Sequence, residues 1–181
     1  MKTISILLSS FLLFTLWSCE DEVSSVPTCC DNPPLEAQVG NGTVYLPNVF
    51  TPNGDGSNDL LFVYADSAIA LISSFEVWSL DGLRLFEITN ISPNNPTQGW
   101  DAGAGAGLVF KGLFEVRLNV VSTDGSTAIL TSTVCSFPCE NPNEKEPTFD
   151  AFPNCVLADQ FDGSSLNATI SSAEPWPCLE Q

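Results

Sequence analysis

Between residues 44 and 134, short runs rich in β-branched and aromatic residues alternate with clusters of Gly, Asn, Asp and Pro, the signature of strands joined by turns. Residues 44–50, 60–65 and 72–80 form the first three runs. Asp81-Gly82 then separates residues 75–80 from 83–88, and an Asp-Gly pair between two apolar runs predicts a hairpin. Residues 113–121 alternate cleanly: Phe114, Val116, Leu118 and Val120 fall on one face, Glu115, Arg117 and Asn119 on the other. That is the pattern of a half-buried strand. Asp124-Gly125 predicts a second hairpin, with residues 128–134 returning beside it. No stretch after residue 18 sustains a helical period with caps, so the pattern predicts an all-β fold built as a small antiparallel β-sandwich.

Outside this region the chain changes character. Lys2 precedes an apolar core over residues 4–17, too short to span a bilayer comfortably, as in a secretory signal peptide. The core ends in Leu16-Trp17-Ser18-Cys19, which resembles a bacterial lipobox; the competing reading is an ordinary signal with an incidental cysteine. The resemblance implies that Cys19 becomes the mature N-terminus and carries lipid, an anchor that needs no transmembrane helix. Glu20, Asp21 and Glu22 resemble the acidic surface-export signals of Bacteroidota lipoproteins, which implies a lipid-anchored place in the outer membrane at the cell surface. Residues 1–18 are then the signal. Residues 19–43, poor in large apolar side chains, are expected to be a flexible tether, with order beginning at Val44.

Charge narrows the function classes. The 181 residues carry 5 Lys and Arg against 22 Asp and Glu, a formal net charge of −17, so the surface repels phosphate backbones and nucleic acid is not an expected partner. There is no His, which removes the usual general base and the His-dependent nucleophilic pairs; no enzyme is expected. Setting Cys19 aside leaves six of the seven cysteines: Cys29 and Cys30 before the strands, and Cys135, Cys139, Cys155 and Cys178 behind them. An even count in an exported chain reads as disulfides, with 15 pairings open. Adjacent cysteines rarely bond to each other, so Cys29 and Cys30 are expected to reach to the C-terminal set. A tetrahedral zinc site from Cys29, Cys30, Cys135 and Cys139 is the competing arrangement.

Four motifs in order add a family resemblance. Pro47-Asn-Val-Phe-Thr-Pro-Asn-Gly-Asp-Gly-Ser-Asn-Asp59, Phe75-Glu-Val-Trp-Ser-Leu-Asp-Gly82, Gly99-Trp-Asp101 and Lys111-Gly-Leu-Phe114 together resemble the gliding-motility-associated C-terminal domain of Bacteroidota, a sorting domain of type IX secretion. The resemblance covers roughly residues 44–134 and implies an immunoglobulin-like β-sandwich. It departs from the family's pattern at Ala102, where Gly is usual, and at Phe114, where Tyr is usual. Here the domain stands between a lipobox and a Cys-rich tail, so a free C-terminal sorting signal is not expected. The expected layout is a sandwich over 44–135 and a mostly irregular, disulfide-stapled tail over 136–181 docked on it, covering a sheet edge.

The candidate sites follow from these motifs. Asn53, Asp55, Asn58 and Asp59 place oxygens around Gly54 and Gly56, a set suited to a calcium ion; no other cofactor is expected. The spacing does not match an EF-hand, and the reading preferred over calcium is a network of Asx turns that ties the strand entry together. Trp78 is expected in the core, Trp100 at the sandwich edge with Asp101 capping its loop, and Trp176 against a disulfide. Asp66-Ser67-Ala68 resembles a Bacteroidota O-glycosylation acceptor. The expected function is that of a non-enzymatic interaction module, an accessory subunit of type IX secretion, gliding or adhesion machinery with an outer-membrane or cell-surface protein complex as partner. The alternative is a carbohydrate- or calcium-dependent adhesin domain.

Overall fold

The computed structural model describes residues 29–137 and 154–174. Within them the chain is all-β and forms two facing sheets. Strands β1 (Leu35–Val39), β2 (Gly42–Leu46) and β4 (Tyr64–Ala65) make a three-stranded sheet in the order β1-β2-β4. Strands β3 (Val49–Phe50), β5 (Ile69–Ser79), β6 (Arg84–Ile91), β7 (Gly112–Ser122) and β8 (Thr127–Ser136) make a five-stranded sheet in the order β3-β8-β7-β5-β6.

Both Asp-Gly turns close hairpins where expected. At the first, the Ser79 N–H donates to the Leu83 carbonyl at 2.8 Å, and β5 pairs with β6. At the second, Asp124 accepts from the Ser126 N–H at 2.8 Å, and β7 pairs with β8 from Val121↔Thr127 to Gly112↔Ser136. The alternation along β7 sends Phe114, Val116, Leu118 and Val120 into the core. There they meet Leu46, Phe50, Leu61, Val63, Phe75 and Val77, each fully buried aliphatic or aromatic side chain contributing about 1.5–3 kcal/mol. Trp100 closes the space between the sheets, with its ring 5.5 Å from Phe50 and 5.1 Å from Phe114.

Four details differ from the sequence expectation. Order begins before Val44, because β1 pairs with β2 from Leu35↔Leu46 to Val39↔Gly42, so the later part of the expected tether is an edge strand. Two alternating apolar residues suffice there, since Leu35 and Val39 face the core and an edge strand needs no more. The run 44–50 is two strands: Pro47 lacks an N–H, and at Pro47-Asn48 the chain leaves one sheet for the other. In the otherwise antiparallel arrangement, β3 then pairs with β8 in parallel, Val49↔Cys135 and Phe50↔Ser136. Trp78 is not in the core. Phe75 and Val77 point inward, and the alternation puts Glu76 and Trp78 on the outer face, where the indole N–H donates to Glu76 at 2.8 Å and the Arg117 guanidinium lies 4.6 Å from the ring centre.

The segment 154–174 docks on the sandwich and covers a face of the three-stranded sheet. Its Phe161 ring stacks 4.3 Å from Tyr64 and lies 5.3 Å from Tyr45, the paired outward residues of β4 and β2. This is why β2 is buried on both sides.

Candidate functional site

The turn between β3 and the Leu61–Trp100 bridge is where the site residues converge. Gly54 and Gly56 sit at φ 79° and 95°, a left-handed region in which a side chain would be strained, and these two reversals bring the polar residues round into a compact ring. Asp59 accepts the Gly54 N–H at 2.6 Å on one oxygen and the Gly56 N–H at 2.8 Å on the other. Asp55 accepts the Ser57 N–H at 2.8 Å and the Asn53 side-chain amide at 2.8 Å. Asn53 accepts the Asp55 N–H at 3.0 Å. Three of the four candidate calcium ligands therefore hold the turn through side-chain-to-backbone bonds of the Asx type.

The fourth, Asn58, does something else. Its carbonyl accepts the Asp159 N–H at 3.0 Å, and its amide donates to Ser172 at 3.2 Å and Glu174 at 3.1 Å. All three partners belong to the docked tail segment. Glu174 is 3% exposed and is the residue sequence reasoning missed. One of its oxygens accepts the Thr51 hydroxyl at 2.6 Å as well as Asn58; the other accepts the Asn53 amide at 3.2 Å. Burial pushes this carboxyl above its ordinary range, and the charges of Asp55 and Asp59 push the same way, against the hydrogen bonds from Thr51 and Asn58. Nothing in the spacing of a residue more than a hundred positions downstream announces such a contact. Its only advance sign was an acid in an otherwise small and apolar stretch, Ser171-Ser-Ala-Glu-Pro175.

Further anchors join tail and sandwich. The buried Asn48 side chain donates to the Asn32 and Asn154 carbonyls, each at 2.8 Å, and accepts the Val156 N–H at 2.8 Å, so one residue ties together three segments. The Tyr64 hydroxyl donates to the Ala158 carbonyl at 2.6 Å; burial, with the Asp159 charge, lifts its pKa to about 12. A tyrosine so held is a structural donor at neutral pH. A pocket lies between the turn and the tail, lined by Asn58, Asp59, Phe62, Tyr64, Pro96 and Asp159. Its lining is acidic on one wall and aromatic on the other.

The cysteines are placed as staples. Cys29 bonds Cys135 and Cys30 bonds Cys155, around a second apolar cluster that includes Val49 and Leu157. Adjacent Cys29 and Cys30 thus reach separately to C-terminal partners, and the competing zinc set is overturned because three of its four thiols are consumed in disulfides. Cys19, Cys139, Cys178 and Trp176 lie outside the described residues. Trp100 is buried between the sheets as part of the core, and Asp101 caps its loop as expected by accepting the Gly103 N–H at 2.9 Å and the Gly105 N–H at 2.7 Å. Asp66 likewise serves structure, accepting the Thr43 and Ala68 N–H groups at 2.8 and 2.9 Å. Among the described residues no group of three or more Cys, Asp or Glu is arranged to hold a metal ion.

No protein-family model matches the chain, and no curated protein matches it. Among solved structures, CopC from Methylosinus trichosporium OB3b is similar over 60% of this chain and 97% of its own, at 14% identity and a TM-score of 0.38.

Proposed function

We propose that the chain is a non-enzymatic, surface-exposed outer-membrane lipoprotein that acts as an interaction module, an accessory subunit of type IX secretion, gliding or adhesion machinery. The observation that carries the proposal is the pair of disulfides Cys29–Cys135 and Cys30–Cys155, whose first members follow the lipobox-like Leu16-Trp17-Ser18-Cys19 closely in the chain. Disulfides form and persist in exported proteins, and they fit a chain delivered across a membrane before it folds. The immunoglobulin-like character of the sandwich belongs to the same reading and rests on the four sequence motifs. So does the structural role of the Asn53–Asp59 turn, whose oxygens are spent on main-chain bonds and on the tail.

A second reading, a carbohydrate- or calcium-dependent adhesin, draws on the half-buried Trp78 on the outer sheet face. Arg117 already lies over that ring and Arg84 stands 5.7 Å from its centre, so a sugar stacking there has to displace guanidinium. Metabolic labelling with an alkyne fatty acid separates the proposal from an ordinary secreted protein. Label on the wild type and none on Cys19→Ala supports the lipoprotein; unlabelled wild type contradicts it. Glycan-array binding lost in Trp78→Ala supports the adhesin.

A further inference from the structure

Among the described residues the exposed large hydrophobic side chains are Leu80, Leu83, Leu108, Phe110 and Ile129. Four of the five project from one end of the sandwich. The strand register fixes this, because Ser79 at the end of β5 lies opposite Phe114 near the start of β7, and Gly112 lies opposite Ser136 at the end of β8. The hairpin bearing Leu80 and Leu83 and the loop bearing Leu108 and Phe110 therefore leave the sheet on the same side. Leu80 and Leu83 are each 62% exposed and Leu108 is 65% exposed. They stand on braced turns: the Leu108 N–H donates to the Gly103 carbonyl at 3.2 Å and the Phe110 N–H to the Ala102 carbonyl at 2.9 Å. The turns at the far end, 40–41 and 123–126, present Asn41, Asp124 and Ser126 instead. Apolar side chains gathered at one end of a soluble sandwich mark a surface that meets something apolar.

The described chain enters the sandwich at this end. Cys29, the first described residue, is bonded to Cys135, which pairs with Leu113 at this same end. Cys19 lies ten residues upstream of Cys29, a span of at most about 36 Å. We propose that this end is a membrane-facing surface, with Leu80, Leu83, Leu108 and Phe110 resting in the interfacial layer of the bilayer to which Cys19 is anchored. The inference rests on the lipoprotein reading above. Lipid on Cys19 supplies the residence on the membrane, and the four tips, too few to hold the protein by themselves, set its orientation. At this end Asp81, Asp55 and Asp59 outnumber Lys111 and Arg84, the latter paired with Glu87, so the balance of charge disfavours anionic headgroups. The surface is thus matched to zwitterionic lipid.

The test uses the purified lipidated protein in phosphatidylcholine vesicles that carry a diazirine in one acyl chain, floated, irradiated and mapped by mass spectrometry. The expected result is lipid adducts on residues 80–83 and 108–110 with none on 123–126, and a several-fold lower yield when half the lipid is phosphatidylglycerol. Combining Leu80→Ser, Leu83→Ser, Leu108→Ser and Phe110→Ser should abolish most tip adducts while the protein still floats. Floating protein with unlabelled tips, or with the 123–126 hairpin labelled equally, overturns the orientation, leaves the anchor standing and assigns the tips to a protein partner. Protein that does not float overturns the anchor reading and the orientation with it.

Discussion

The Glu174 carboxylate lies 2.6 Å from the Thr51 hydroxyl, joining residues 123 positions apart in the chain. It shares its oxygens with Asn53 and Asn58, so the most polar turn of the sandwich is closed from outside by the docked tail. Glu174→Ala takes one acceptor from each of three donors, two of them, Thr51 and Asn58, on buried residues. The expected cost is about 1–3 kcal/mol, read as a drop in Tm of roughly 2–4 °C per kcal/mol. Glu174→Gln keeps an acceptor and removes the buried charge, so it should cost less than half as much. Equal losses for the two variants in a thermal melt would contradict the assigned role.

The same carboxyl gives a pH dependence with a defined sign. Its pKa in the folded protein is raised, so the native state binds more protons than the unfolded one between the ordinary carboxylate pKa and the raised value. Its contribution is present in full below the ordinary value and is lost as pH rises through the raised one. Hydrogen exchange in 171–174, corrected for intrinsic rates, should show stronger protection below the ordinary carboxylate value, at about pH 4, than at about pH 8, and Glu174→Gln should flatten the difference. Asp124 and Asp162, both lowered by hydrogen bonds from neighbouring serines, act in the opposite sense at lower pH but lie outside this segment.

Much of the sheet was legible in the sequence, because the information is local. Asp81-Gly82, Asp124-Gly125 and the alternation from Phe114 to Val120 specify two hairpins without reference to anything distant. Trp78 shows the cost of weighing hydrophobicity above period: Phe75-Glu76-Val77-Trp78 alternates, and with Phe75 and Val77 inside, Trp78 faces out. β1 was hidden by its sparse apolar residues, which is all an edge strand requires. Asn48, Asn58 and Glu174 were not legible in their roles, since each acts through a partner 100 or more residues away.

The two tryptophans should respond differently to truncation. Trp100 packs on Phe50 and Phe114 between the sheets, and Trp100→Ala should cost about 3–5 kcal/mol by chemical denaturation. Trp78→Ala removes a half-buried ring and its contacts with Arg84 and Arg117, each worth roughly 0.5–1 kcal/mol at an exposed site, and should cost less than half of that. A Trp78 variant as damaged as the Trp100 variant would put Trp78 back in the core.

Disulfide removal tests how the tail is held. Cys30–Cys155 spans 125 residues, and its loss through Cys30→Ser with Cys155→Ser should cost about 2–5 kcal/mol and free the 154–174 segment to limited proteolysis before the strands are cut. A tail as resistant as in the wild type would mean that Asn48, Asn58 and Tyr64 hold it without the bond.

For calcium, the turn oxygens already accept N–H groups at Gly54, Gly56, Ser57 and Asp55. Melting temperature should therefore be unchanged between excess chelator and millimolar calcium. A rise of several degrees with calcium would show that Asp55 and Asp59 still serve a cation.

The proposal of a lipid-anchored module that works by binding at the cell surface is tested most directly by affinity purification of the tagged protein from its native membrane after mild solubilisation. The account predicts a stoichiometric outer-membrane or secretion-machinery partner that is retained by wild type and lost from Cys19→Ala. A lipidated protein that purifies alone would contradict it.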